Sequence, residues 1–203
     1  MINCATFPRS GHNLLQRVVL QSSLALNKAD GKEGRGKYKR ELFRNHDSGL
    51  EWDKPSNFNK FGQDQTIVQL RNPLESLISL FLLRHSKFGV DGKIKPTREL
   101  WEAFARSKIL YWIKFARVWW LENPNANKIL LPYADCMADP VSSYSRVLKF
   151  VGLPVPDDFP KVLKYLRIYR RRRIQDFKYY DQRFYSEILD MAKPEIKGVF
   201  KNF

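Results

Sequence analysis

The feature that most constrains the fold is a short apolar segment, residues 2–6, that runs into a tight turn and then directly into a helical pattern. The turn is Pro8–Gly11, and apolar residues recur at helical spacing over residues 14–19. A strand that ends in such a turn and opens a helix points several backbone N–H groups and the helix N-terminus at one place. The sequence therefore predicts an anion site in this turn, with the guanidinium of Arg9 and the hydroxyl of Ser10 as side-chain donors.

Further apolar strand segments alternate with helical patterns along the chain. Strands are predicted at residues 41–45, 66–70 and 129–131. Helices are predicted at residues 73–82, 97–122, 139–151, 159–169 and 183–192. The segments at residues 29–40, 48–64 and 88–96 are predicted to be irregular. This alternation predicts an α/β fold in which helices cover both faces of a central, mostly parallel sheet, giving three layers. We expect one domain over residues 1–203, because a chain of this length with 43% hydrophobic residues can bury a sizeable core.

The charge balance points to an anionic partner. Lys and Arg exceed Asp and Glu by 36 − 21 = 15, which suits a nucleotide, an acidic glycan, a nucleic acid or a membrane surface, and also serves solubility. No apolar run approaches the ~20 residues of a membrane span, and the first strand follows Met1 with no room for a signal peptide, so we expect a cytoplasmic protein. The two cysteines, Cys4 and Cys136, form neither a disulfide framework nor a metal-ligand pattern and are expected to be buried.

A second polar group of residues follows the predicted strand at residues 66–70. Arg71 comes directly after this strand, at the edge where open α/β sheets bind ligands, and Asn72 caps a helix that begins at Pro73. Ser79 lies two turns further along the polar side of that helix. Arg71 and Ser79 can therefore hold one phosphate from two directions; the alternative is a surface ion pair for Arg71 and a solvated Ser79.

Together these two motifs resemble the PAPS-dependent sulfotransferases. In that family the first motif binds the 5′-phosphosulfate of the donor PAPS and the second binds its 3′-phosphate. The Ser at eight positions after the Arg, as Ser79 is after Arg71, fits the family pattern. The resemblance implies a P-loop-like sulfotransferase fold, PAPS as the donor and PAP as the product. The donor-binding positions that it implies are Pro8, Arg9, Ser10, Gly11, His12, Asn13, Arg71 and Ser79.

Two later segments resemble the same family less specifically. Residues 130–135 resemble the segment whose Tyr, here Tyr133, lies near the adenine. Residues 170–178 resemble a late segment that contacts the 3′-phosphate, which implies that Arg170, Arg171 and Arg172 do so here. The chain departs from the family pattern at several positions: Arg9 for Lys, His12 and Asn13 for hydroxyl residues, Leu14 for Trp, and Arg172 and Gln175 for Gly.

Sulfuryl transfer also needs a base that takes the proton of the acceptor hydroxyl or amine. Histidine suits this role because its ordinary pKa of ~6.5 lies near working pH, and the chain has His12, His46 and His85. Residues 44–47 resemble the K-T-H segment of the family, whose His is the base. The resemblance thus implies that His46 is the base and that Arg44 contacts the transferring sulfonate. His12 lies inside the predicted anion turn and is expected to be a second donor to the phosphosulfate, and His85, near the end of a helix, is expected to be structural. We expect no metal.

Two other functions remain open at this point. A P-loop kinase would need a Lys in a Gly-rich loop and an acidic Mg²⁺ ligand, and neither pattern is evident. A nucleic-acid-binding module would use residues 161–183, where nine Lys or Arg are interleaved with aromatic residues. For a sulfotransferase, we expect a small-molecule or glycan acceptor, favoured to be anionic by the net charge, and no nucleic acid. The chain is short for the family, so we expect an acceptor side that is open or completed in a homodimer.

Overall fold

The predicted parallel sheet is confirmed. The computed structural model describes residues 2–19, 42–86, 90–92, 94–165 and 174–200. Four strands lie in the order β2-β1-β3-β4, and every neighbouring pair is parallel. These strands are β1 (Ile2–Thr6), β2 (Leu42–Asn45), β3 (Gln65–Leu70) and β4 (Lys128–Pro132). Their carboxyl ends therefore meet at one edge of the sheet.

Helices cover both faces of the sheet, as the alternating pattern predicts. They are α1 (residues 12–19), α2 (Phe58–Phe61), α3 (Pro73–Arg84), α4 (Arg98–Ala116), α5 (Tyr133–Ala138), α6 (Pro140–Phe150), α7 (Phe159–Tyr165), α8 (Gln182–Met191) and α9 (Lys193–Val199). Short 3₁₀ turns lie at Ser48–Glu51 and Ile174–Asp176, and a π-helical turn, Arg117–Leu121, extends α4. No helix in the described ranges is long and apolar enough to cross a membrane.

Two hydrophobic cores lie on opposite faces of the sheet because successive strand residues point to opposite sides. Cys4 and Ile67 face the core built with α1, α6 and α7. Ala5 and Val68, the next residues along, face the core built with α3, α4, α8 and α9. Burial on both faces explains why consecutive residues such as Ile67 and Val68 are both apolar, and it produces the three layers, α/β/α.

The helices begin where the sequence provides a side-chain cap. Asn72, Thr97, Asp139 and Asp181 each accept a hydrogen bond from a backbone N–H in the first turn of the helix that follows. The aromatic residues of α4 and its π-helical extension lie in the core, as predicted: Trp101, Trp112, Phe115 and Trp119 are fully buried. Cys4 and Cys136 are also buried, as expected.

The prediction of an irregular segment at residues 48–64 is only partly right. This segment contains a 3₁₀ turn and the short helix α2. The carboxylate of Asp47 organises it by accepting hydrogen bonds from Ser56 Oγ at 2.6 Å and from the N–H of Asn57 at 2.9 Å. A local network of this kind leaves no hydrophobic period in the sequence.

The helix α9 was likewise not expected, and the predicted loop at residues 29–40 lies outside the described residues.

Candidate anion-binding site at the carboxyl edge of the sheet

The segments that the sequence singles out all meet at the carboxyl edge of the sheet. β1 leads into the turn Phe7–Gly11, β2 into His46, β3 into Arg71 and β4 into Tyr133. Residues from four distant parts of the chain therefore lie around one place. This is the edge at which open α/β sheets bind ligands.

The turn after β1 has an unusual backbone that is stabilised by its own hydrogen bonds. Arg9 and Gly11 have positive φ angles, 67° and 100°. The N–H of Ser10 donates to the carbonyl of Phe7 at 3.1 Å, and the N–H of Leu14 donates to the carbonyl of Gly11 at 2.9 Å. These bonds reverse the chain immediately before α1, so the N-terminus of α1 faces the same space as the turn.

Gly11 is required for steric reasons as well as for its φ angle. A Cβ atom at this position would lie 2.9 Å from the ring of Tyr133 and 3.1 Å from Nε2 of Gln69. Both distances are shorter than normal contacts. The turn after β1 is thus packed tightly against β3 and the start of α5.

Two arginines lie side by side at this edge. Nη1 of Arg71 donates to the backbone carbonyl of Arg9 at 3.4 Å, and Nε of Arg9 donates to Oγ of Ser79 at 3.0 Å. Loss of solvation and the neighbouring Arg71 cation both lower the pKa of Arg9. Arg9 has no carboxylate partner among the described residues. An anion bound between these two cations would relieve their repulsion.

Arg71 is held from three sides. Its Nε donates to Oε2 of Glu75 at 2.9 Å, its guanidinium lies 4.5 Å from the ring centre of Tyr133, and its backbone carbonyl accepts from Nε1 of Trp112 at 3.2 Å. The Arg71–Glu75 ion pair is largely buried, with side-chain exposures of 14% and 7%. The alternative prediction, a surface ion pair for Arg71, is therefore right about the ion pair and wrong about its location, because the pair is largely buried. The sequence predicts that Arg71 and Ser79 hold one phosphate; in the structure Ser79 accepts a hydrogen bond from Arg9, and Arg71 pairs with Glu75.

Buried polar groups lie directly beneath the turn. Oγ of Ser10 and both ends of the Gln69 amide are buried, and none has a hydrogen-bond partner within the part of the chain that is described. Sequence reasoning missed Gln69. Its signal is an amide side chain that interrupts the apolar residues at positions 67–70.

His46 has a defined orientation beside the turn. Its Nδ1 lies 2.6 Å from the carbonyl oxygen of Thr6 and 3.2 Å from Oγ1 of the same residue. Because a carbonyl oxygen only accepts, Nδ1 carries the proton, and the neutral ring has its lone pair on Nε2. The hydroxyl of Tyr111 donates to the backbone carbonyl of His46. Burial, with the nearby Glu51 and Asp47 charges, raises the pKa of Tyr111, so this donor stays protonated.

Asp47 fixes the turn that follows His46, and sequence reasoning missed it. Asp47 is buried, with φ 44°, and its carboxylate also accepts from Nε1 of Trp119 at 2.8 Å. Together with the bonds from Ser56 and Asn57, this contact ties the end of β2 to α4 and its extension. The only sequence signal was its place directly after His46.

The other predicted site residues differ in where they lie. His12 is buried at the first position of α1, and its ring centre lies 5.9 Å from that of His46, edge to face. Asn13 is exposed next to it, Pro8 is partly exposed within the turn, and His85 lies apart, at the end of α3. The side chain of Arg44 and the whole of Arg170, Arg171 and Arg172 lie outside the described part. No group of three or more His, Cys, Asp or Glu residues that could hold a metal occurs in the described ranges.

Comparisons with known proteins identify the family of the chain. A family model for a sulfotransferase domain matches residues 60–189, which include Arg71, Ser79 and Tyr133. The chain is also similar to a 3-alpha-hydroxysteroid sulfotransferase from Cavia porcellus. The two are 24% identical over 221 aligned residues, which cover 97% of this chain and 75% of the relative.

Proposed function

Because this chain belongs to the sulfotransferase domain family, we propose that it transfers a sulfonate group from PAPS to a hydroxyl or amine of an acceptor. The observation that carries the proposal is the pair Arg9 and Arg71, two cations beside the N-terminus of α1, with Arg9 lacking a carboxylate partner in the described residues. A ligand with two separate anionic groups suits this edge of the sheet. PAPS has such groups, its phosphosulfate and its 3′-phosphate.

The donor is proposed to bind along the edge from the turn after β1 to α3. Arg9, Ser10 and the backbone N–H groups of the turn hold the phosphosulfate, together with Gly11 and with Pro8, His12 and Asn13 on either side of it. Arg71 and Ser79 hold the 3′-phosphate. Tyr133, which stacks against Arg71, lies near the adenine. The contributions of Arg170, Arg171 and Arg172 to the 3′-phosphate site stay predictions from the sequence.

The reaction is an in-line displacement at sulfur. A bond forms between the acceptor oxygen or nitrogen and sulfur while the bond from sulfur to the bridging oxygen of PAPS breaks, and PAP leaves. Arg9 and the N–H groups of the turn stabilise the negative charge that develops on the bridging oxygen. His46 accepts the acceptor proton on Nε2, since its Nδ1 proton is held by the carbonyl of Thr6. Arg44 is proposed to contact the transferring sulfonate.

The acceptor is proposed to be a small molecule or glycan with a hydroxyl or amine. The relative from Cavia porcellus carries the name of a hydroxysteroid sulfotransferase, which supports a hydroxyl acceptor. The net charge of +15 favours an acceptor that is itself anionic. A homodimer, a cytoplasmic location and a single domain over residues 1–203 stay predictions from the sequence.

Ligand-induced stabilisation tests the donor. A ligand that binds only the folded state raises the melting temperature, and ~100 Kd of free ligand stabilises by about 2.7 kcal/mol. We expect stabilisation by PAP and much less by ATP with Mg²⁺ or by a single-stranded oligonucleotide. Stabilisation by ATP with Mg²⁺ and none by PAP would contradict the proposal. Incubation with radiolabelled PAPS and a panel of phenols, steroids, amines and acidic sugars then identifies the acceptor class.

A further inference from the structure

Gln69 is a buried amide among the apolar residues that form the second half of β3. It is the penultimate residue of β3, its side chain is 0% exposed, and its neighbours Ile67, Val68 and Leu70 are apolar and buried. Neither Nε2 nor Oε1 has a hydrogen-bond partner in the described ranges. A buried amide without partners costs free energy, and an apolar side chain would fill the same space without that cost. The amide therefore indicates a polar partner that is not part of the described chain.

The position of Gln69 indicates where on the protein the polar group that partners its amide would lie. Its Nε2 lies 3.1 Å from the point that a Cβ of Gly11 would occupy, so the amide reaches the turn after β1. The backbone carbonyl of Gln69 also accepts from the N–H of Phe7 at 3.3 Å, which ties the turn to β3. Ser10, in the same turn, likewise has a buried hydroxyl without a partner among the described residues.

The buried hydroxyl of Ser10 and the buried amide of Gln69 thus both lie next to Gly11, one within the turn that contains Arg9 and the other against it. A phosphoryl group is rich in acceptor oxygens and has no donor when fully ionised. It therefore matches the N–H₂ of Gln69 and the hydroxyl of Ser10 in the same way that it matches the backbone N–H groups of the turn.

We propose that the amide of Gln69 donates a hydrogen bond to the 5′-phosphoryl group of the nucleotide, as a binding residue beneath the turn. The inference rests on the proposed function, because it assumes a 3′,5′-bisphosphorylated nucleotide at this edge. It adds a contact from the central strand of the sheet to those made by the turn and by Arg71. A neutral donor here discriminates for a charged 5′-group without adding to the repulsion between Arg9 and Arg71.

The test compares two substitutions at Gln69 with a matched control. Gln69→Met keeps the length of the side chain and removes both polar ends, and Gln69→Glu keeps the shape but replaces the donor with a negative charge. Gln65→Met is the control, because Gln65 lies at the opposite end of the same strand and its Nε2 donates to the carbonyl of Phe150 at 2.5 Å. For each protein, the dissociation constants for PAP and for adenosine 3′-monophosphate, which lacks the 5′-phosphate, are measured by calorimetry, with the melting temperature as a check on folding.

We expect Gln69→Met to weaken PAP binding roughly tenfold or more, with adenosine 3′-monophosphate changed less than about twofold, since only PAP has the 5′-group. Gln69→Glu should weaken PAP further, and Gln65→Met should leave both affinities unchanged while lowering the melting temperature. Unchanged PAP affinity in a folded Gln69→Met protein, or an equal loss for both ligands, overturns the inference alone. Absence of PAP binding by the wild-type protein overturns the proposed function and this inference with it.

Discussion

Nδ1 of His46 lies 2.6 Å from the carbonyl oxygen of Thr6, so the end of β1 orients the side chain that follows β2. These two strands are hydrogen-bonded neighbours, with Ala5 opposite Asn45 in the register. The sheet itself therefore sets which ring nitrogen carries the proton. A histidine oriented in this way keeps Nε2 as its proton acceptor, which is the property that the proposed reaction needs.

Replacement of His46 should separate chemistry from donor binding. We expect His46→Ala to lower the rate of transfer by about 10²–10⁴-fold, the usual contribution of a general base, and to leave PAP affinity within about twofold. Single-turnover kinetics with labelled PAPS measures the first quantity and calorimetry the second. His85→Ala is the matched control, because His85 ends α3 with its Nδ1 3.3 Å from the carbonyl of Ile94. Unchanged turnover in His46→Ala would mean that the base is another group.

Replacement of Arg71 should weaken the binding of the nucleotide. Arg71→Ala removes a charged donor and is expected to cost ~1.5–3 kcal/mol of PAP binding free energy, the range for a hydrogen bond to a charged group. It also removes the cation that pairs with the buried carboxylate of Glu75, which lowers the free energy of unfolding. Melting temperatures and calorimetric titrations with PAP give the two effects separately.

Two further variants separate the loss of a specific contact at Arg71 from a general loss of positive charge. Glu75→Gln removes the carboxylate that competes with the phosphate for Arg71, so PAP should bind at least as tightly as to the wild type. Arg98→Ala removes an exposed arginine that pairs with Asp181 and should leave PAP affinity unchanged. Equal losses in Arg71→Ala and Arg98→Ala would show a general charge effect instead of a site at Arg71.

The sequence was sufficient to predict the layers of the fold and most helix starts. Strands buried on both faces give continuous apolar runs, and helix starts such as Asn72–Pro73 are marked by local chemistry that needs no tertiary information. The region from Asp47 to α2 was not predictable in the same way. Its shape depends on one buried carboxylate that collects donors from Ser56, Asn57 and Trp119, and the last of these is 72 residues away in the chain.

The site was predictable as a set of segments but not as a set of contacts. Strand ends and helix starts located Arg9, His46 and Arg71, because parallel strands bring their carboxyl ends together. The pairing of side chains depends on helix rotation and on packing: Ser79 accepts from Arg9, and Arg71 pairs with Glu75 one turn into α3. Gln69 lay in a strand segment that reads as core, and its significance comes from its burial without a hydrogen-bond partner among the described residues.

Two glycines with positive φ should respond differently to alanine. Gly11 has φ 100° and its added Cβ would meet Tyr133 at 2.9 Å, whereas Gly152 has φ 74° and nothing within 4 Å. Gly152→Ala should therefore cost only backbone strain, about 1 kcal/mol of the free energy of unfolding. Gly11→Ala should cost roughly 1–3 kcal/mol and also abolish PAP binding, because the turn must move. Chemical denaturation and PAP titration of both variants check this, and equal behaviour would show that the packing of Gly11 against Tyr133 has no consequence.

The two buried thiols should make stability depend on pH in the alkaline range. Burial raises the pKa of Cys4 and that of Cys136 each to about 12. The unfolded chain loses these protons at an ordinary thiol pKa of ~8.5, so the folded protein binds more protons than the unfolded chain above that pH. The free energy of unfolding contributed by the thiols is complete below pH ~8.5 and falls as the pH rises towards 12, by roughly 1 kcal/mol for each thiol at pH 9.5.

Urea unfolding at pH 7.5 and at pH 9.5 measures this loss of stability. The variant in which Cys4 and Cys136 are both replaced by Ala lacks the thiol contribution and should lose about 2 kcal/mol less than the wild type between the two pH values. In the same experiment, a thiol reagent at pH 8 should label neither cysteine in the folded protein and both in urea, because the reactive species is the exposed thiolate. Rapid labelling of the folded protein, or equal pH dependence in the two proteins, would contradict the burial of Cys4 in β1 and of Cys136 in α5.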